Sequence, residues 1–341
     1  MRPRHVIGAA VLCGALALAG CGSSSEGGGS SSPNATAAPA SSPALEAARH
    51  PAASEFPPVQ GRTLREIGDT LTAGPQAGLA TSLYTPGENR VAFGLIDARN
   101  AFVYGRTAVY VARRPNAPAR GPFLAPGDSL EVRTAFRSQT SNSVAGDVKA
   151  VYHANVDLPA TGRWYILVAT RVGDRTYGAT GVVRVVAQTS IPSVGQMAPS
   201  VDTPTLASVG DDVRKIDTRT PPDTMHDYDL RDVLGRRPVA LLFATPLLCQ
   251  SRVCGPVTDI GEQLKAAYGD RVDFIHNEVY VDNNVAKGLR PQLLAYGLRT
   301  EPWLFAIDRN GKIVDRLEGA FGVDEFRQAV EAAMSGKPPS S

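Results

Sequence analysis

The apolar pattern of this chain changes period once, near residue 190, and this change predicts two kinds of domain. From about Leu83 to Ala187 apolar and polar residues alternate with a period near two, between turns rich in Pro, Gly and Asn. Short strands at modest spacing with few helix candidates are typical of an antiparallel β-sandwich. The predicted strands centre on residues 89–97, 108–112, 149–154, 163–168 and 180–186. We therefore predict an all-β sandwich domain over residues 59–190.

Residues 195–335 predict an α/β domain. Val239–Phe243 is a continuous apolar run, as expected of a strand covered on both faces. The remaining elements are a helix at 257–268, a strand at 272–275, a short helix at 291–296, strands at 303–308 and 312–317, and a helix at 323–334. Asn310-Gly311 between the last two strands is a strong hairpin signal. The order β-α-β-α-β-β-α implies a sheet with helices on both faces.

The N-terminus predicts export and lipid anchoring. Residues 1–20 join a basic start to a short apolar stretch and read as a signal peptide. The segment Leu18-Ala19-Gly20-Cys21 resembles the bacterial lipobox, which implies lipidation at Cys21 and attachment to the extracytoplasmic face of the cell membrane. Residues 21–58 are mostly Ser, Gly, Ala and Pro, and we predict a disordered tether there.

The charge balance limits the partners. The chain holds 35 basic and 33 acidic residues and no basic block, so we expect no nucleic-acid partner. Its membrane contact is expected through the lipid anchor, and its other partners are expected to be envelope or secreted proteins that carry thiols or disulfides. No cofactor and no metal site is predicted.

Two of the four cysteines remain once the leader and the lipidated residue are set aside. Cys249 and Cys254 lie close together in a compartment that permits disulfides. Two cysteines form no disulfide scaffold for a chain this long. They therefore make either one local structural bridge or a redox site.

The C-terminal domain resembles the thioredoxin superfamily, in its peroxiredoxin, TlpA and Sco-like branch. The resemblance rests on Phe243-Ala244-Thr245-Pro246 leading to the two cysteines, on Tyr296 to Trp303, and on the opening Val194 to Pro199. It implies thiol–disulfide exchange, and it makes Pro302 the cis-proline beside the site. The sandwich domain resembles immunoglobulin-like modules in pattern only.

The spacing departs from the Cys-x-x-Cys of the family and suggests roles for the two thiols. Residues five apart on an α-helix have Cα atoms roughly 8–9 Å apart, whereas a disulfide tolerates about 7 Å. Pro256 favours a helix beginning near it, which leaves Cys254 at the helix entrance and Cys249 in the loop. Cys254 is then the expected nucleophile, with Arg252 nearby, and Cys249 its partner. Leu242 stands where thioredoxin has a buried acid.

Three alternatives stay open. The cysteines could form a permanent disulfide in a non-catalytic envelope binding or scaffold module. Copper handling of the Sco kind needs a His before the late strand, where this chain has Glu301-Pro302, so His226 and His276 are the available substitutes. A peroxidase is suggested by Pro246 and Ser251 to Cys254, but the spacing is one residue too long.

Overall fold

A computed structural model of the protein describes residues 42–139, 141, 148–251 and 253–339. The predicted leader, the lipidation at Cys21, the first part of the tether and Arg252 lie outside the described residues. No helix in the described ranges is both long enough and apolar enough to cross a membrane.

Two sheets that face each other across an apolar core make up the N-terminal part, which we call the sheet pair. Their strands are β1 (Thr72–Ala73), β2 (Gln76–Leu79), β3 (Gly87–Ile96), β4 (Arg106–Ala112), β5 (Arg120–Leu124), β6 (Gly127–Ser129), β7 (Ala150–Leu158), β8 (Gly162–Val172) and β9 (Arg175–Val185). One sheet has the order β1-β9-β8-β4-β5 and the other β2-β3-β7-β6. All pairs are antiparallel except β1 with β9. Apolar side chains of β3 and β7 meet those of β4, β8 and β9 in one buried cluster.

The five predicted strands correspond to β3, β4, β7, β8 and β9, each longer than predicted. The sequence analysis missed β1, β2, β5 and β6, which are two to five residues long. All four lie at the edges of their sheets. Edge strands bury only part of their side chains, so their alternation is weak.

The C-terminal sheet has the predicted element order. Its strands are β10 (Val239–Phe243), β11 (Asp273–Asn277), β12 (Trp303–Ile307) and β13 (Ile313–Glu318), in the spatial order β11-β10-β12-β13. β10 runs parallel to β11 and antiparallel to β12, and β12 is antiparallel to β13. The helices are α3 (Leu230–Val233), α4 (Cys254–Tyr268), α5 (Pro291–Ala295) and α6 (Val323–Ser335), which follow α1 (Pro43–Arg49) and α2 (Leu64–Gly68).

Helices cover both faces of this sheet, which explains why β10 is apolar throughout. Ala240 and Leu242 pack with buried residues of α4 and α6. Val239, Leu241 and Phe243 pack on the other face with buried residues of α3 and α5. Every residue of β10 is therefore buried.

The predicted tether is corrected where it is described. Residues 43–49 form α1, which Ser42 caps and Pro43 opens. Ala48 is fully buried in the core of the sheet pair, and Arg49 forms an ion pair with Asp324 at 2.8 Å. A helix of seven residues is too short to be stable alone and is stabilised by tertiary packing, so composition alone could not indicate it.

Buried polar contacts join the sheet pair to the C-terminal sheet, within the one compact unit to which all the described residues belong. Arg90 of β3 forms an ion pair with Glu325 of α6 at 2.6 Å, and it also donates to the carbonyls of Glu318 and Ala320. Asp128 of β6 accepts hydrogen bonds from the backbone amides of Asp324 and Glu325. Since Gly322 at the start of α6 offers no side-chain cap, the carboxylate from β6 performs this function.

Candidate functional site

The two remaining cysteines lie where β10 passes into α4. The chain turns after Ala244, and the backbone amide of Cys249 bonds the carbonyl of Thr245 at 3.1 Å. Cys254 is the first residue of α4, and no side chain caps this helix end. Cys254 thus stands at the helix entrance and Cys249 in the preceding loop, as predicted from Pro256.

Both thiols are free, and they differ in burial. Cys249 is 8% exposed and Cys254 is fully buried. The hydroxyl oxygen of Ser251 lies 3.1 Å from the Cys249 sulfur. Both cysteines are therefore buried, and Cys249 is the one that keeps some exposure to solvent.

Their pKa values diverge for identifiable reasons. A hydrogen bond from the Cys254 thiol, with a smaller contribution from the Ser251 hydroxyl, lowers the pKa of Cys249 to about 6 against the effect of burial. Burial raises the pKa of Cys254 well above its usual value, and the neighbouring Cys249 raises it further. The more acidic thiol is thus Cys249, whereas helix position alone favours Cys254 as the nucleophile.

Glu301 lies near enough to both cysteines to interact with them electrostatically, and Pro302 follows it directly before β12. The peptide bond between them is cis, as the sequence predicted, and the carbonyl of Pro302 accepts a hydrogen bond from the amide of Gly319 at 2.8 Å. Partial burial, together with the negative charge of Cys249, raises the pKa of Glu301 to about 7. Sequence reasoning did not single out this carboxyl. Its only signal was an acid directly before the proline.

A cavity of about 390 Å³ lies beside the cysteine loop, between the loop and the sheet pair. Ser251, Val253 and Glu301 line it on one side. Leu79 of β2 and Phe102, among other residues, line it from the sheet pair. The N-terminal part of the chain therefore contributes a wall to the space next to the thiols.

Behind the loop, the structure brings His226 and His276 together with Asp217 and Asp223, and all four are buried. His276 Nδ1 lies 2.8 Å from Asp223 Oδ2, and its Nε2 lies 3.1 Å from the carbonyl oxygen of Ala244. The two imidazole centroids are 5.4 Å apart. The charge of Asp223 raises the pKa of His276 to about 10 against the effect of burial. The two histidines considered for copper thus belong to a separate cluster with two aspartates.

Comparisons with known proteins are distant. The chain matches no protein family and no curated protein. Among solved structures it is similar to a putative thiol:disulfide interchange protein DsbE from Chlorobium tepidum, at 19% identity over 42% of this chain and 98% of that one, with a TM-score of 0.29. It is also similar to a thiol:disulfide interchange protein of the thioredoxin family from Chlorobium tepidum TLS, at 16% identity over 42% and 99%, with a TM-score of 0.29. Likenesses this remote do not say what the chain does.

Proposed function

We propose that this protein is a thioredoxin-like thiol–disulfide oxidoreductase in which Cys249 attacks and Cys254 resolves. The observation that carries the proposal is the asymmetry of the two thiols. Cys249 is the more exposed and has a pKa of about 6, while Cys254 is fully buried and protonated. A reactive thiolate beside a protonated partner is the arrangement that exchange requires.

The exchange proceeds in two steps. The Cys249 thiolate attacks one sulfur of a substrate disulfide, which forms a mixed disulfide and releases the other substrate sulfur as a thiolate. The Cys254 thiol then loses its proton and attacks the Cys249 sulfur, which forms the Cys249–Cys254 disulfide and releases the second substrate thiolate. The substrate gains the two electrons that the cysteine pair loses, and the reverse sequence oxidises a dithiol.

Glu301 supplies the proton acceptor for the second step. Its charge affects Cys254, and burial, the larger of the two causes that raise its own pKa, persists after the mixed disulfide has removed the charge of Cys249. Once the mixed disulfide has formed, Cys249 bears no charge, and one of the causes that raise the pKa of Cys254 is gone. The buried thiol therefore becomes easier to deprotonate when it is needed.

The cavity beside the loop is the proposed place for the substrate chain. It is bordered by Ser251 and Glu301 and closed by residues of the sheet pair. We assign the sheet pair as an immunoglobulin-like domain over residues 59–190 that helps to hold the substrate, followed by the thioredoxin-like domain over residues 195–335. Anchoring through a lipid on Cys21 would place both outside the cytoplasm, with envelope or secreted proteins as substrates.

One observation favours the non-catalytic alternative, in which Cys249 and Cys254 form a permanent disulfide. Both cysteine residues are buried, at 8% and 0% exposure. Structural disulfides have potentials below roughly −300 mV, whereas working oxidoreductases lie between roughly −270 and −120 mV. The potential therefore separates the two functions.

The test is a redox titration of the full chain in glutathione or dithiothreitol buffers. Alkylation followed by peptide mass spectrometry follows Cys249 and Cys254 separately from the other two cysteines. Reversible interconversion between roughly −270 and −120 mV, with mixed disulfides trapped by Cys254→Ser and not by Cys249→Ser, supports exchange through Cys249. A bond that resists reduction until the protein unfolds would establish the structural alternative.

A further inference from the structure

Four buried side chains behind the cysteine loop converge on one point. They are Asp217, Asp223, His226 and His276, none more than 6% exposed, and one donor atom from each lies within 4.8 Å of all the others. From this geometry we propose that the cluster is a structural site for a divalent transition-metal cation, with Zn²⁺ as the best fit. The site does not depend on the proposed thiol chemistry and would stand if the cysteines exchanged nothing.

Two of the separations between donor atoms are close to those around a small tetrahedral ion. His226 Nε2 lies 3.4 Å from Asp223 Oδ1 and 3.7 Å from Asp217 Oδ2. Tetrahedral zinc with bonds near 2.0–2.2 Å separates its ligand atoms by roughly 3.3–3.6 Å. The 2.8 Å contact between His276 Nδ1 and Asp223 Oδ2 is shorter because a proton lies between the two atoms. A metal ion replaces that proton.

His226 provides the independent sign of a ligand. Its side chain is 3% exposed, and neither ring nitrogen has a hydrogen-bond partner. Buried polar atoms are nearly always hydrogen-bonded, and each exception calls for an explanation. An imidazole nitrogen that sits between two carboxylates without bonding either one is explained when a cation occupies the space they share.

The surrounding contacts already hold the ligands in place. His276 Nε2 donates to the carbonyl of Ala244 at 3.1 Å, which leaves Nδ1 facing the cluster. The carboxylate of Asp217 accepts a hydrogen bond from the backbone amide of Asp223 at 2.7 Å, and the carboxylate of Asp223 accepts one from the amide of Met225 at 2.8 Å. Outer hydrogen bonds of this kind fix the orientation of metal-binding histidines and carboxylates.

The charge of the four-residue cluster also favours a bound cation. Two carboxylates and two neutral imidazoles carry a charge of minus two, which one divalent cation neutralises. An uncompensated buried charge is costly.

The donor set selects among cations. Two imidazoles with two carboxylates suit Zn²⁺, whereas Mg²⁺ and Ca²⁺ prefer six or more oxygen ligands. All four side chains are buried, which is typical of structural rather than catalytic zinc, because no position is left for a reacting water. The bound ion would hold Ala244 through His276 and so fix the strand end from which the cysteine loop departs.

The test uses the full chain, stripped with a chelator and then titrated with Zn²⁺ and Co²⁺. A Cys249→Ser/Cys254→Ser background removes binding by the thiols, and His226→Gln and Asp217→Asn alter the cluster with little change in volume. His50→Gln, at a well-exposed histidine, is the matched control. The readouts are bound zinc per chain after gel filtration, the visible spectrum of the cobalt form, and the thermal midpoint against free zinc.

We expect one zinc per chain in the wild type, in the Cys249→Ser/Cys254→Ser background and in the control, with a tetrahedral cobalt spectrum and a midpoint that rises with zinc. His226→Gln and Asp217→Asn should each weaken binding by at least the roughly 10- to 100-fold that loss of an outer partner costs. If one variant fails to fold, the other carries the test. Absence of stoichiometric binding, binding abolished by Cys→Ser, or full affinity in the cluster variants would overturn the proposal.

Discussion

We expect Ser251→Ala to raise the pKa of the Cys249 thiol, because the hydroxyl removed lies 3.1 Å from the sulfur and helps to lower that pKa. A hydrogen bond to a charged group is worth roughly 1.5–3 kcal/mol, and one pKa unit corresponds to about 1.4 kcal/mol. The larger cause, the hydrogen bond from Cys254, remains in the variant. We therefore expect a rise of about one unit, from about 6 to about 7.

The shift translates into a change of reaction rate. At pH 6 the thiolate fraction should fall from about one half to about one tenth, so alkylation of Cys249 should slow by about fivefold. At pH 9 both proteins are almost fully ionised there, and their rates should converge. The measurement is the iodoacetamide rate of the reduced full chain between pH 4.5 and 9.5, read at Cys249 by peptide mass spectrometry.

A neighbouring residue supplies the control. Gln250 is exposed, and Gln250→Ala should leave the midpoint of the pH profile within a few tenths of a unit. The reasoning is refuted if the wild-type midpoint lies near the ordinary value of about 8.5 for a free thiol, or if Cys254 is labelled before Cys249. An unchanged midpoint in Ser251→Ala would show that this hydroxyl does not stabilise the thiolate.

Three further predictions concern neighbouring groups. Glu301→Gln should slow resolution of the mixed disulfide by about 100-fold, since a positioned acid–base group contributes at least that much, while the rate of Cys249 alkylation changes little. Quenched-flow measurements with a disulfide peptide separate attack by Cys249 from resolution by Cys254. Equal slowing of both steps would count against the role assigned to Glu301. Asp128→Ala should destabilise the protein by roughly 1–3 kcal/mol in urea, because two buried amides of α6 lose their acceptor, and Asp128→Asn should recover part of this loss. Arg90→Met should lower the free energy of unfolding by roughly 3–5 kcal/mol, because it leaves Glu325 buried without this ion-pair partner. If adding Glu325→Gln recovers none of that stability, the explanation is contradicted.

The sequence predicted best what depends on neighbouring residues. The predicted apolar run Val239–Phe243 has the same first and last residues as β10, because a strand buried on two faces has an unbroken apolar sequence. Pro256 placed the start of α4 within two residues of the observed one, and with it the positions of Cys249 and Cys254. Residues close together in the sequence were sufficient to predict these two elements.

The remainder depends on groups far apart in the chain. His276 and Asp223 are 53 residues apart, and Asp128 and Asp324 are 196 apart, so no local pattern connects them. The relative acidity of the two thiols is likewise not a local property. Helix position favours Cys254, but its complete burial has the larger effect on its pKa, and burial is a property of the folded chain.

The carboxylate of Asp128 at the start of α6 also bears on how the protein is made. A chain is synthesised from its N-terminus, so β6 and the rest of the sheet pair emerge before the last helix exists. When α6 leaves the ribosome, its acceptor group and the guanidinium of Arg90 are already in the chain. The N-terminal part can therefore act as a template against which the C-terminal sheet closes. A chain cut between the two parts would lose this template along with one wall of the cavity beside the thiols.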